Sequence, residues 1–127
     1  MNRDIKFRVW SEKNKKMLEI QKHSFKTGKS MPYGYNIAYD FGELMQYTGL
    51  KDENEKEIYE GDILSIKIYS RDKVIVEGKT VVEFKDGCFG VIWGHDKAFL
   101  SLNSFFKAKF EVIGNIYENP ELLRGEK

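Results

Sequence analysis

One cysteine, two prolines and two histidines are all that 127 residues contain of the types that staple, kink or ligate. The lone thiol, Cys88, can form neither an intrachain disulfide nor a thiolate cluster for zinc, and it suits a reducing cytoplasm. His23 and His95 have no close His or Cys neighbour, so neither a transition-metal site nor a cofactor is expected. Long apolar runs are missing too. The longest span only a few residues, far below the roughly 18 that a membrane helix needs, and residues 1–10 alternate charge with apolar character where a signal peptide would have an apolar centre. No apolar rhythm of 3.6 residues can be traced, which argues against a helical bundle.

What is present is alternation. A hydrophobic share of 41%, aromatics at 14% and a net charge of +1 place the chain among folded proteins, and its length predicts one domain over 1–127. Ile5, Phe7 and Val9 alternate with Lys6, Arg8 and Trp10, and residues 16–21 return the chain as a first hairpin. Residues 44–50 and 57–68 form the arms of a second, and residues 80–84 and 88–93 flank Asp86-Gly87 as a third. Asp-Gly suits a tip where both turn residues take positive φ. A last strand over 110–117 precedes Asn119-Pro120, an N-cap and first-position pair that predicts one helical turn. The fold class is therefore mainly β. Hairpins are expected to form a small, partly open barrel, with a short helical segment near Phe99 to Phe106. The expected core is Ile5, Phe7, Val9, Leu44, Ile58, Ile63, Ile66, Ile68, Val82, Phe84, Phe89, Val91, Phe110, Val112, Ile113 and Ile116. Residues 23–42 read as an irregular loop, which in a small domain marks a functional or mobile segment, and residues 124–127 as a frayed tail.

Chemical motifs are weak. Gly28-Lys29-Ser30 resembles the end of a phosphate-binding loop, but His23 stands where that motif needs glycine and Pro32 blocks the helix that should follow. Asp52-x-Asn54-x-Lys56 puts a cation where a calcium ligand should be. Glu60, Asp62 and His95 could take acid–base roles only by converging in one pocket; otherwise Asp62, next to Gly61, is expected to hold backbone N–H groups within its turn. No catalytic residue is singled out. Binding is the stronger expectation. Basic residues dominate before Asp40, acidic ones from Glu43 to Asp62, and such a dipolar surface suits self-association or an anionic partner. Lys6, Arg8 and Trp10 on the first strand, with Lys26, Lys29, Tyr33, Tyr35 and Tyr39 on the loop, combine cations for phosphates with rings for base stacking, which makes nucleic acid a second candidate partner. The alternative is that the tyrosines fold back as a lid on the core's edge.

Several of these segments together resemble the YopX family of small phage and prophage proteins. The likeness runs through residues 5–10 with Asn14-Lys-Lys-Met17, through residues 44–50 with Gly49 to Tyr59-Glu60-Gly61-Asp62-Ile63, through Val82-Glu-Phe84 with Gly87, and through residues 110–117 with 119–123. It implies a largely β fold and a phage or prophage product acting in the bacterial cytoplasm. It implies no catalytic residue, and the expected role is a non-enzymatic module that binds itself or a host or phage protein. One departure concerns the second hairpin, where relatives tend to carry Asn-Gly and this chain has Asn54-Glu55. Without the glycine, a longer type I loop with Asn54 at positive φ is expected.

Overall fold

The break at Glu60-Gly61 organises the molecule. In the computed structural model, which describes residues 4–124, the long second arm of the central hairpin is not one strand. It breaks at Glu60-Gly61 into β5 (Glu57–Tyr59) and β6 (Asp62–Ser70), which belong to different sheets. Gly61 makes the break at φ +86°, and a Cβ there would lie 3.1 Å from the Met45 sulfur, so both conformation and space ask for glycine.

Eleven strands are formed among the described residues: β1 (Phe7–Ser11), β2 (Lys16–His23), β3 (Ser30–Pro32), β4 (Met45–Lys51), β5, β6, β7 (Lys73–Val81), β8 (Glu83–Lys85), β9 (Cys88–Trp93), β10 (Ala98–Ser101) and β11 (Ala108–Asn115). They lie in three sheets, ordered β3-β2-β1-β4-β5, β10-β9-β8 and β11-β6-β7. Every named pair is antiparallel, as hairpin connections require. Ile58, Leu64, Ile66, Val82, Val91 and Leu102 form the buried centre, with Trp93, Phe105 and Phe110 packed against it. Each of the six buried side chains contributes about 1.5–3 kcal/mol.

The mainly β reading holds, but several details differ. The strands are distributed over separate sheets and do not close a barrel, because β5 and β6 diverge at Gly61. The helix expected near Phe99 to Phe106 is a single 3-10 turn, Leu102–Ser104. Residues 98–101 instead pair with β9, where Gly90 lets the backbones approach: a Cβ there would sit 2.3 Å from the Leu100 carbonyl oxygen. The turn after Asn119 forms at Pro120–Leu123, but the Asn119 side chain reaches back to accept from Asn115 N–H at 3.2 Å and does not cap it. Residues 23–42 contain β3, and Ser30 and Tyr39 exchange backbone hydrogen bonds of 2.8 and 2.9 Å. Of the expected core, Ile5, Phe84 and Ile116 are exposed: Ile5 precedes β1, Phe84 packs edge-on against Phe89 on edge strand β8, and Ile116 follows the end of β11. Trp10, Met45, Tyr47, Tyr59, Leu64 and Leu102 are buried in addition. Of the expected frayed tail, residues 125–127 lie outside the described residues.

The Asn54-Glu55 turn does lengthen. Glu55 N–H donates to Asp52 C=O at 3.0 Å and Asp52 N–H to Lys56 C=O at 2.8 Å. Positive φ, however, falls on Glu55 (66°) and not on Asn54. The reason is Asp52, whose Oδ1 accepts from both Asn54 N–H (2.8 Å) and Lys56 N–H (2.9 Å) and thereby fixes where the chain must reverse.

Candidate functional site

Two of the three titratable groups that sequence brought forward as acid–base candidates, Glu60 and Asp62, are engaged by the backbone. Asp62 is buried; its Oδ2 accepts Tyr59 N–H at 2.8 Å and its Oδ1 accepts from the Arg8 guanidinium at 2.8 Å. Burial pushes its carboxyl above the ordinary range, while the Arg8 charge and the Tyr59 N–H pull the other way. Glu60 Oε1 accepts Gln46 N–H at 2.8 Å, and its carbonyl accepts from Arg8 at 3.1 Å. Gly61 N–H donates to Val82 C=O at 2.9 Å while Gly61 C=O accepts from Ile116 N–H at 3.0 Å, so this one turn ties together β5, β6 and the exits of β7 and β11. His95 is exposed in the β9–β10 turn and borders a different cleft from the one that Glu60 lines. Gly49, at φ +90°, has open space where a Cβ would go.

Of the residues suggested for nucleic acid, Arg8 lies over the Tyr59 ring at 4.6 Å, in addition to its contacts with Asp62 and Glu60. Burial, then the Glu57 charge, push the Tyr59 hydroxyl up to about 12. Lys6 pairs with Glu57, a hydrogen bond that raises its pKa, and lies 5.4 Å from the Tyr47 ring centre. Trp10 is stacked on Tyr117 at 5.5 Å and donates from Nε1 to Glu12 at 2.8 Å. Lys26 and Lys29 are exposed on the β2–β3 connection, and Tyr33 is exposed beyond β3. Tyr35 and Tyr39 fold against Phe41 near the β1–β2 turn, where Asn14 Nδ2 donates to the Tyr35 hydroxyl at 3.0 Å. Of the four cations among the eight residues, Lys6 and Arg8 are thus paired with carboxylates, while Lys26 and Lys29 are exposed.

A surface that sequence reasoning passed over is more distinctive. β7 is an edge strand, and Val74, Ile75 and Val76 are 42%, 59% and 45% exposed. Ile75 is the extra residue of a bulge, since Ile68 pairs with Val76 and Tyr69 with Val74. The second half of the strand is covered: Thr80 Oγ1 donates to Ile92 C=O at 2.9 Å, and the Trp93 ring lies over Gly78, where a Cβ would meet it at 3.2 Å. The opposite edge of that sheet is also occupied, because Glu53 N–H donates to Phe110 C=O at 2.9 Å and Val112 N–H to Asp52 Oδ2 at 2.8 Å. Among the described residues, the outer side of the Lys73–Glu77 stretch (73–77) is thus left without a strand partner, an apolar edge with a cation at one end and an anion at the other, whose Val76 and Glu77 border a cleft with Trp93 and His95.

A small mainly-β protein, whose inner ion pair and carboxylates hold turns together and whose open edge faces outward, is the class these features define. The chain belongs to the YopX family: the family profile described as YopX protein matches residues 6–124. It is similar to the solved structure of protein EF1440 from Enterococcus faecalis, at 29% identity over 96% of this chain and 99% of that one, with a TM-score of 0.65. It is also similar to protein yopX from Bacillus subtilis, at 25% identity over 93% and 97% of the two chains and the same TM-score of 0.65. Among curated proteins no match was found.

Proposed function

We propose that the chain is a phage- or prophage-encoded protein of the bacterial cytoplasm that acts without catalysis, as an interaction module whose partner is a second copy of itself. Its provenance rests on the family relationship. The observation that carries the interaction reading is the open half of β7. An edge strand with exposed apolar side chains offers unpaired backbone groups to another strand. Its sequence, Lys73-Val-Ile-Val-Glu77, is charge-complementary to itself. Once the bulge at Ile75 is drawn out into a regular pleat, two copies running antiparallel about a two-fold axis there set Lys73 opposite Glu77 and Val74 opposite Val76, twice over, as a symmetric interface requires. Glu60 and Asp62 are held in hydrogen bonds to backbone N–H groups, which supports a structural role for them over acid–base work.

Light scattering on a dilution series tests this reading. The wild-type chain is expected as a dimer at micromolar concentration, and Ile75→Lys as a monomer with an unchanged circular dichroism spectrum. A wild-type monomer throughout the micromolar range would refute it. Nucleic acid is the weaker partner, because Lys6 and Arg8 already face Glu57 and Asp62; absence of salt-sensitive oligonucleotide binding at low ionic strength would retire that reading.

A further inference from the structure

On another part of the molecule, the β1–β2 turn and residues 35–41 enclose a cleft of about 370 Å³, inside the range of roughly 300–1,000 Å³ common for small-ligand sites. Trp10, Tyr35, Tyr39 and Phe41 all line it. Three of these rings stand nearly perpendicular to one another: Tyr35 and Tyr39 at 6.1 Å and 81°, Tyr35 and Phe41 at 6.3 Å and 77°, Tyr39 and Phe41 at 6.0 Å and 71°. The middle of a triangle of that size lies about 3.5 Å from all three centres, and points to either side of its plane lie about 4.5–5 Å from all three, within the roughly 6 Å over which a ring face attracts a cation. Tyr39 is half exposed, so its ring is not consumed by internal packing.

Charge around the cleft selects the sign of its occupant. Asp40 and Glu12 contribute carboxylates, and Lys13 is the one basic residue of the lining. Glu12 is shared with Trp10 Nε1 and Lys15, whereas exposed Asp40 accepts only from the Gly42 N–H (3.0 Å), through Oδ1, among its described contacts. Neither Lys26 nor Lys29 lines the cleft, so a phosphate would meet more negative than positive charge there. We propose that this aromatic cleft binds an organic ammonium cation, a quaternary or methylated ammonium group held against Tyr35, Tyr39 and Phe41 with Asp40 supplying the countercharge. The methyl groups bury against ring faces while the positive charge, too diffuse to demand hydrogen bonds, is met by the ring quadrupoles.

The test is an NMR titration of the full chain with choline, following the Trp10 indole N–H, with Trp93→Phe used to assign it. Saturable shifts are expected with a dissociation constant of about 1 mM or tighter. The neutral isostere 3,3-dimethylbutan-1-ol is expected to bind at least about tenfold more weakly, because it lacks the charge the rings attract. Tyr39→Leu and Phe41→Leu, checked for unchanged circular dichroism, should each weaken choline by about tenfold, and Asp40→Asn by severalfold. A peptide carrying trimethyllysine forms the second arm: tighter binding than choline marks a protein side chain as the source, weaker binding a free small molecule. Equal binding of the isostere, no saturable shift with choline, or indifference to both ring substitutions would overturn the proposal. So would displacement of choline by a thymidine oligonucleotide that moves the same signals, since the rings would then serve base stacking.

Discussion

Arg8 is held from three directions, by the Asp62 carboxylate, the Glu60 carbonyl and the Tyr59 ring face. Its side chain is 13% exposed and that of Asp62 3%, so the pair exchanges little with water. Removing one partner leaves the other buried without compensation, which typically costs about 3–5 kcal/mol. Arg8→Met is therefore expected to lose about 3 kcal/mol or more in urea unfolding, and Arg8→Met with Asp62→Leu to recover part of that loss. Asp52 behaves differently. Burial pushes its carboxyl up, but the backbone N–H groups of Val112, Lys56 and Asn54, with the Lys56 charge, hold it below the ordinary value. A depressed folded pKa adds stability above the unfolded value of about 3.9 that is lost as pH falls through the folded one. Asp52→Asn should thus be less stable than the wild type at pH 7, with the difference shrinking as both are titrated below about pH 4. A difference that stays constant with pH would show that the carboxylate's charge is not what matters.

At the scale of elements, the turns decide what could be read in advance. The β8–β9 hairpin was legible because Asp86 and Gly87, at φ 53° and 83°, belong to the residue types that accept positive φ. The β6–β7 hairpin has the same geometry, with Ser70 opposite Lys73 and both central residues at positive φ, but Arg71 and Asp72 occupy it and neither is glycine. That is why the most distinctive edge in the protein escaped notice. Val74, Ile75 and Val76 also show no alternation, since the strand is exposed along this stretch and the bulge interrupts its pleat. A glycine signal did exist for β10: Gly90 marks a close backbone approach, which could have argued against a helix over the facing residues. The β4–β5 turn yields a direct test of strain. Glu55 takes φ 66° with its side chain exposed, so Glu55→Gly should raise stability by roughly 0.5–1 kcal/mol, seen as a higher urea midpoint at unchanged slope. An unchanged or lower midpoint would mean that the left-handed conformation carries no penalty there.

Across the whole molecule, β1 brings two members of the basic stretch, Lys6 and Arg8, onto two of the acidic one, Glu57 and Asp62. The outward surface carries two further features: the aromatic cleft on the first sheet and the β7 edge on the third. Dyad patterning was enough to recover a mainly β chain and three of its hairpins, since burial on one face writes itself into alternate residues. Which strands share a sheet was not recoverable, because that depends on Gly61 and on the long-range contacts of Asp52 and Asp62, which leave no local periodicity. The proposed self-pairing of β7 about Ile75 is open to a charge-swap series measured by sedimentation equilibrium. Lys73→Glu alone sets two like-charged pairs across the two-fold axis and is expected to shift the protein to monomer, as is Glu77→Lys alone; the double swap restores opposite charges and should restore the dimer. Single swaps that leave the wild-type association unchanged, or a double swap no better than either single one, would contradict it.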